Sequence, residues 1–165
     1  MSITRVPLAP QPSEIQERLH KLAANAQKLN DLSDSLTKQL TQIESAINKL
    51  NIGVAAEVNS ETYSSEDGLE YDIWRLAYQK YDKKWGFVVE HLSGHEAYPD
   101  GEFESWPFKD APREHRIAAV LKVPELLDAL LEKSERFASE ISGSVSYAQS
   151  IASSLAAPSR DGSKR

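Results

Sequence analysis

The chain has 165 residues, no cysteine, and 25 acidic against 19 basic residues, for a formal net charge of −6. Without cysteine there is no disulfide framework, thiolate zinc site or cysteine nucleophile. The acidic balance argues against a general nucleic-acid binder, which carries a basic footprint. No apolar run approaches the roughly 18–20 residues that cross a bilayer, so no membrane partner is expected. Residues 1–12 contain three prolines, one arginine and no apolar core. They read as a loose arm rather than a secretory signal, and the expected location is cytoplasmic.

A long helix is expected over residues 13–51. Ser13-Glu14-Ile15-Gln16 has capping-box form, with Ser13 as the cap. Ile15, Leu22, Leu29, Leu36, Ile43 and Leu50 recur every seven residues, interleaved with Leu19, Ala26, Ser33, Leu40 and Ile47. Ten of these eleven positions are apolar, and Gly53 is the first glycine or proline after Pro12. This is a five-heptad seam on a helix about 57 Å long. Leaving its nine Leu and Ile side chains wet forfeits roughly 13–27 kcal/mol gross, so something must cover them. Flanking residues such as Gln16, Asn30, Thr37, Asn25 and Gln39 form few interhelical ion pairs, while Ala23, Leu32 and Ala46 widen the stripe. That width suits a bundle better than a two-stranded zipper.

Residues 52–109 are expected to form a small antiparallel β region. Residues 54–58 read as a short first strand, 59–68 as a polar loop, and 69–80 and 85–92 as a hairpin rich in aromatic and β-branched side chains. The turn Tyr81-Asp82-Lys83-Lys84 has no glycine, which points to a four-residue loop on a type I turn. The apolar side of the first arm shifts between Ile73 and Trp74, the mark of a bulge near 73–75 or of burial on both faces. Residues 93–109 read as a second polar loop. Asp110 is placed to cap a short helix over 113–122, and Pro124 marks a break before a second long helix that ends at Pro158. Its seam is Leu127, Leu131, Ser134, Ala138, Ile141, Val145, Ala148, Ala152 and Leu155, and residues 141–157 carry no charge. Residues 158–165 read as a disordered, mildly basic tail.

The predicted fold is therefore α+β. Two long heptad-patterned helices, an antiparallel pair or bundle stalk, flank a small β-hairpin sheet and a short helix. Leu22, Leu29, Leu36, Leu40, Ile43, Ile47, Ile141 and Val145 are the candidate assembly positions, with a homodimer or larger self-assembly as the expected state.

No signature of catalysis emerges. The chain has no phosphate-binding glycine loop, dinucleotide fingerprint or serine-hydrolase elbow. His95-Glu96 begins like a zinc-protease motif, but Pro99 stands where the second histidine belongs. His91, His95, Glu96, Asp100 and Glu102 are a conceivable ligand set in a loop with nothing to order it. No metal and no cofactor are expected. Tyr71, Trp74, Tyr78, Tyr81, Trp85 and Phe87 read as core rather than as a base-stacking platform, and Arg113, His115 and Arg116 as structural or solvated.

Acidic clustering is the more informative pattern. Six carboxylates lie in residues 57–72 and five in 90–104, with no Lys or Arg in either segment. Both flank the hairpin. Glu66, Asp67, Glu96, Asp100 and Glu102 are the candidate contacts for a basic protein partner, against the plainer reading of solubility and edge protection. The expected function is non-catalytic: an interaction or scaffold protein. An acidic regulator that docks on a basic protein, nucleic-acid-binding proteins included, is the alternative.

Overall fold

The computed structural model describes residues 11–98 and 100–156. The loose arm over residues 1–10, Pro99 and the tail over 157–165 lie outside them. The architecture is α+β: α1 (Pro12–Leu50), β1 (Ala56–Ser64), β2 (Glu70–Tyr81), β3 (Lys84–His95), β4 (Glu102–Pro107), α2 (Arg113–Val120) and α3 (Val123–Ala156). The four strands form one antiparallel sheet in the order β1-β2-β3-β4.

Helix α1 starts one residue before Ser13. Pro12 takes the first helical position, where its missing amide costs nothing, and the Gln11 carbonyl accepts the Glu14 and Ile15 amides. Ser13 is thus inside the first turn rather than the cap. At the other end Asn51 already takes the left-handed conformation (φ 51°), ahead of Gly53. Asp110 likewise caps nothing: it closes a 3-10 turn over Phe108–Asp110, and the Pro112 carbonyl accepts the Arg116 amide at the start of α2.

The sheet is larger than the hairpin expected. β1 runs on through Ser64, and β4 occupies residues expected to be loop. Both edge strands are polar outward and short on aliphatic residues, which is why composition hides them. The bulge lies on β1, not β2: Asn59 pairs with Arg75 and Glu61 with Trp74, leaving Ser60 as the extra residue. β2 and β3 pair without interruption from Glu70↔His95 to Tyr81↔Lys84. They are joined by a two-residue turn in which Asp82 (φ 46°) and Lys83 (φ 67°) are both left-handed, the primed geometry that matches strand twist. The four-residue loop is thereby corrected.

Register assigns the faces. Ala56, Val58, Trp74, Leu76, Tyr78, Phe87, Val89, His91 and Trp106 share one face. The other carries Ala77 and Val88, both buried, so the middle of the sheet is covered on both sides. α2 lies against β1, β2 and β3, and α3 against β1 and β2. Ala119, Val123, Leu126 and Leu130 are the buried residues they contribute.

The last two turns of α1 add polar clamps to the sheet. The Phe87 amide lies beyond β4, whose pairing with β3 ends at Val88↔Pro107, and it donates to Glu44 Oε2 at 2.8 Å. The Tyr78 hydroxyl donates to Asn48 Oδ1, and Asn48 Nδ2 donates to the Trp85 carbonyl at 3.3 Å. Among the described residues every buried side chain lies between Leu40 and Leu130.

Candidate interaction surfaces

Each long helix presents most of its seam to solvent. On α1, Ile15, Leu19, Leu22, Leu29, Leu32 and Ile43 are exposed, Leu22 to 62%. Leu36 is half-buried, whereas Leu40 and Ile47 are buried. On α3, Leu127, Leu131, Ile141, Val145, Ile151 and Leu155 are exposed, Leu155 to 82%. Apolar side chains at heptad spacing on helices of 39 and 34 residues are not scattered surface residues. They form continuous stripes, and an isolated helix gains little from propensity alone.

A second surface lies at the end of the sheet. The amide of Glu96 donates to the carbonyl of Leu69 at 2.8 Å, which ties the loop after β3 to the loop before β2. A cleft of ≈ 480 Å³ opens there, lined by Tyr63, Glu70, Tyr71, Asp72, His95, Tyr98, Asp100 and Glu102 among others. Its lining has four carboxylates and three tyrosines, and no Lys or Arg. The Tyr71 phenol lies across two glycines: a Cβ on Gly94 or Gly101 would stand 2.6 or 2.7 Å from its hydroxyl. A smaller adjoining cleft of ≈ 320 Å³ is lined by Glu61, Thr62, Tyr63, Asp72, Trp74 and His115.

Trp74 and His115 of the smaller cleft belong to an aromatic stack that the sequence does not announce. The Trp74 ring is parallel to His115 of α2 at 3.3 Å between centroids and to His91 at 4.3 Å, with Trp106 at 5.8 Å. His115 Nδ1 lies 2.6 Å from Glu61 Oε2, and His91 Nε2 lies 3.0 Å from Asp72 Oδ2. Pairing of His115 with a residue 54 positions away leaves no local signal in the sequence. His95 is engaged separately: its Nδ1 accepts the Ala97 amide at 3.1 Å, and its ring meets Tyr98. Among the described residues no three His, Asp or Glu side chains gather as a metal ion would require.

The five predicted acidic contacts divide. Asp100 and Glu102 line the larger cleft; Glu66, Asp67 and Glu96 are exposed but outside its lining. Asp67 organises its own turn. It accepts a hydrogen bond from the Ser65 hydroxyl and one from the Leu69 amide at 3.1 Å, and these donors hold its carboxyl below the usual carboxylate range. Glu70 and Asp72, on β2, join the cleft instead.

Fold and surfaces together define an α+β protein with two uncovered helical seams and an acidic, tyrosine-lined cleft at the sheet end. Among the described residues no helix is long and apolar enough to cross a membrane. No protein-family model, no curated protein and no solved structure matches the chain.

Proposed function

We propose that the protein is a non-catalytic interaction or scaffold protein that self-assembles through its long helices and presents the sheet end to partners. The observation that carries this is the separation of buried from exposed apolar residues. The core draws its buried residues from positions 40–130, while residues 12–39 and 131–155 contribute none and still keep a heptad seam. Apolar side chains spaced for helix packing yet left in water are what an assembly surface looks like in a single chain.

The test is solution mass by light scattering behind size exclusion across a wide concentration range. A dimer or larger species supports the reading; a monomer at every concentration refutes it. Leu29→Asp, at an exposed seam position, lowers the mass while circular dichroism keeps the sheet signal. Leu36→Asp disrupts assembly or folding, and unchanged mass and helicity in that variant would contradict the seam.

A second reading is favoured by the cleft. Carboxylates and tyrosines without a competing cation suit a lysine or arginine side chain of a basic protein. Replacing Glu70, Asp72, Asp100 and Glu102 by Gln should then weaken capture of a lysine- and arginine-rich peptide, most at low salt. Equal binding by both proteins at every ionic strength would dismiss it.

A further inference from the structure

We infer that the free edge of β4 is a strand-addition site for an extended basic segment of a partner protein. Lysine or arginine side chains of that segment meet Glu102 and Glu104, and its apolar ones meet Phe103. This rests on the reading of the sheet end as a surface for a basic partner, and it specifies how that partner is held.

The ladder fixes which backbone groups are free. In a strand the amide and carbonyl of one residue point to the same side, and successive residues alternate. In β3 the Phe87 amide is unused by β2, since it donates to Glu44. At the other end the Glu96 amide, one residue past the strand, donates to Leu69 on the β2 side. Odd-numbered residues of β3 therefore face β4, and even-numbered ones face β2. The register Val89↔Trp106, His91↔Glu104 and Ser93↔Glu102 then turns the backbone of Glu102, Glu104 and Trp106 toward β3. Phe103 and Ser105 turn theirs outward. Pro107, which has no amide to give, sits opposite Val88, whose own backbone faces β2. Among the described residues no backbone segment bonds to the outward groups of Phe103 and Ser105. The opposite edge of the sheet differs, because β1 lies against α2 and α3.

Charge selects the occupant. Glu102 and Glu104 are exposed on one face of β4, and Phe103, 59% exposed, stands on the other. Behind the two glutamates the facing rows run Ser93, Asp72, Tyr63 and His91, Trp74, Glu61, without lysine or arginine. An added strand meets Glu102 and Glu104 at non-hydrogen-bonded positions, where facing side chains come closest. Basic side chains are attracted there and acidic ones repelled. A second copy of the chain suits the edge poorly. In an antiparallel pair of β4 strands, centring on Phe103 or on Glu104 sets glutamate against glutamate. Centring on Ser105 brings Pro107 into the ladder opposite Phe103. The glutamates thus guard the edge against its own kind and leave it open to the opposite charge. A segment that continues past Glu102 reaches the acidic cleft, which Glu102 also lines.

The probe is a labelled, end-capped Lys-Val-Lys-Val-Lys-Val peptide, read by fluorescence anisotropy at low salt, with two N-methylated forms of the same charge. Methylating the valine amides, which face β4 in the added strand, should weaken binding about ten-fold or more. Methylating the lysine amides, which face away, should leave it unchanged. Saturating peptide should also slow amide exchange at Phe103 and Ser105. Ser105→Pro removes one outward amide and no bond to β3, so it should weaken binding with the fold kept; the methylated peptides decide the matter on the unmodified protein if that variant does not fold. Equal binding of all three peptides would overturn strand addition. The acidic-cleft reading would then stand if replacing Glu70, Asp72, Asp100 and Glu102 by Gln abolished that binding, and fall otherwise. Binding of none of them at any ionic strength would remove both. A dimeric mass lost in Ser105→Pro would give the edge to a second copy and overturn the proposal too.

Discussion

Glu44 and Gly86 form a pair whose coupling can be worked out before it is measured. Phe87 is 2% exposed, and its amide donates to Glu44 Oε2 at 2.8 Å. Glu44→Ala leaves that donor buried without an acceptor, at a cost of about 1.5–3 kcal/mol. Gly86→Ala acts on the same bond from the other side, since a Cβ there would stand 2.8 Å from Glu44 Oε2 and 3.1 Å from its Cδ. The carboxylate is the free end of a flexible side chain, so it swings away and the hydrogen bond is lost. Alanine recovers about 0.5–1 kcal/mol over glycine in a strand, which leaves a net loss of about 1–2 kcal/mol. With Glu44 already alanine, nothing obstructs the new methyl, and Gly86→Ala should stabilise by about 0.5–1 kcal/mol. The second substitution therefore changes sign with the background, and the coupling amounts to about 1.5–3 kcal/mol. Urea unfolding of the four proteins at constant m-value reads this directly. Additivity within about 0.5 kcal/mol would refute the clamp as the reason for glycine at position 86.

Three further outcomes are expected. Burial, and then the Glu44 carboxylate, raises the pKa of Tyr78 above the usual tyrosine value, so the fold holds the phenol proton where the unfolded chain releases it. The stabilisation is complete below about pH 10 and is lost as pH rises through the folded value; Tyr78→Phe should flatten that decline in a urea-midpoint series from about pH 8 to 11, and parallel profiles would contradict it. Replacing Asp82-Lys83 by Asn-Gly, the pair suited to two left-handed residues, should raise stability by about 1 kcal/mol in the same unfolding assay, and a loss would mean that the turn side chains make contacts of their own. His115→Ala removes the ring stacked on Trp74 and the partner of Glu61, costing about 1–2 kcal/mol and changing the Trp74 environment seen by fluorescence; unchanged stability would show the stack to be incidental.

The parts of this fold legible in the sequence are those set by local periodicity. The seams of α1 and α3, the break at Val123-Pro124 and the hairpin pairing of β2 with β3 all leave signals within one or two turns or along one strand. The edge strands do not, because β1 and β4 are defined by what they pair with rather than by what they contain. Glu102-Phe103-Glu104-Ser105 alternates outward carboxylates with little to bury, and only the register on β3 makes it a strand. The hairpin turn escapes sequence reading for a similar reason. Strand twist imposes left-handed backbone on Asp82 and Lys83 against their intrinsic preference, an instance of tertiary context overriding local chemistry. For the cleft, the two acidic segments are visible as composition, but their meeting depends on the register of β2 on β3 and of β3 on β4, which sets Asp72 opposite Ser93 and Ser93 opposite Glu102. The Trp74 stack needs α2 to arrive from elsewhere in the chain.

Burial separates the sheet core from most of the length of the two long helices. Leu76, Val88, Val89 and Leu126, all fully buried, belong to the sheet and to the first turns of α3. Nothing in residues 12–39 or 131–155 is buried, so those helical lengths add little to the stability of the sheet core. Helix formation in water without tertiary packing is marginal, so the order of these lengths calls for more than propensity. Under the proposed self-assembly, helix order and association are linked: each seam covered by a partner would stabilise the helix that carries it, and each helix formed would align its seam. If the protein self-assembles as proposed, loss of the partner would leave the sheet and the cleft at its end intact.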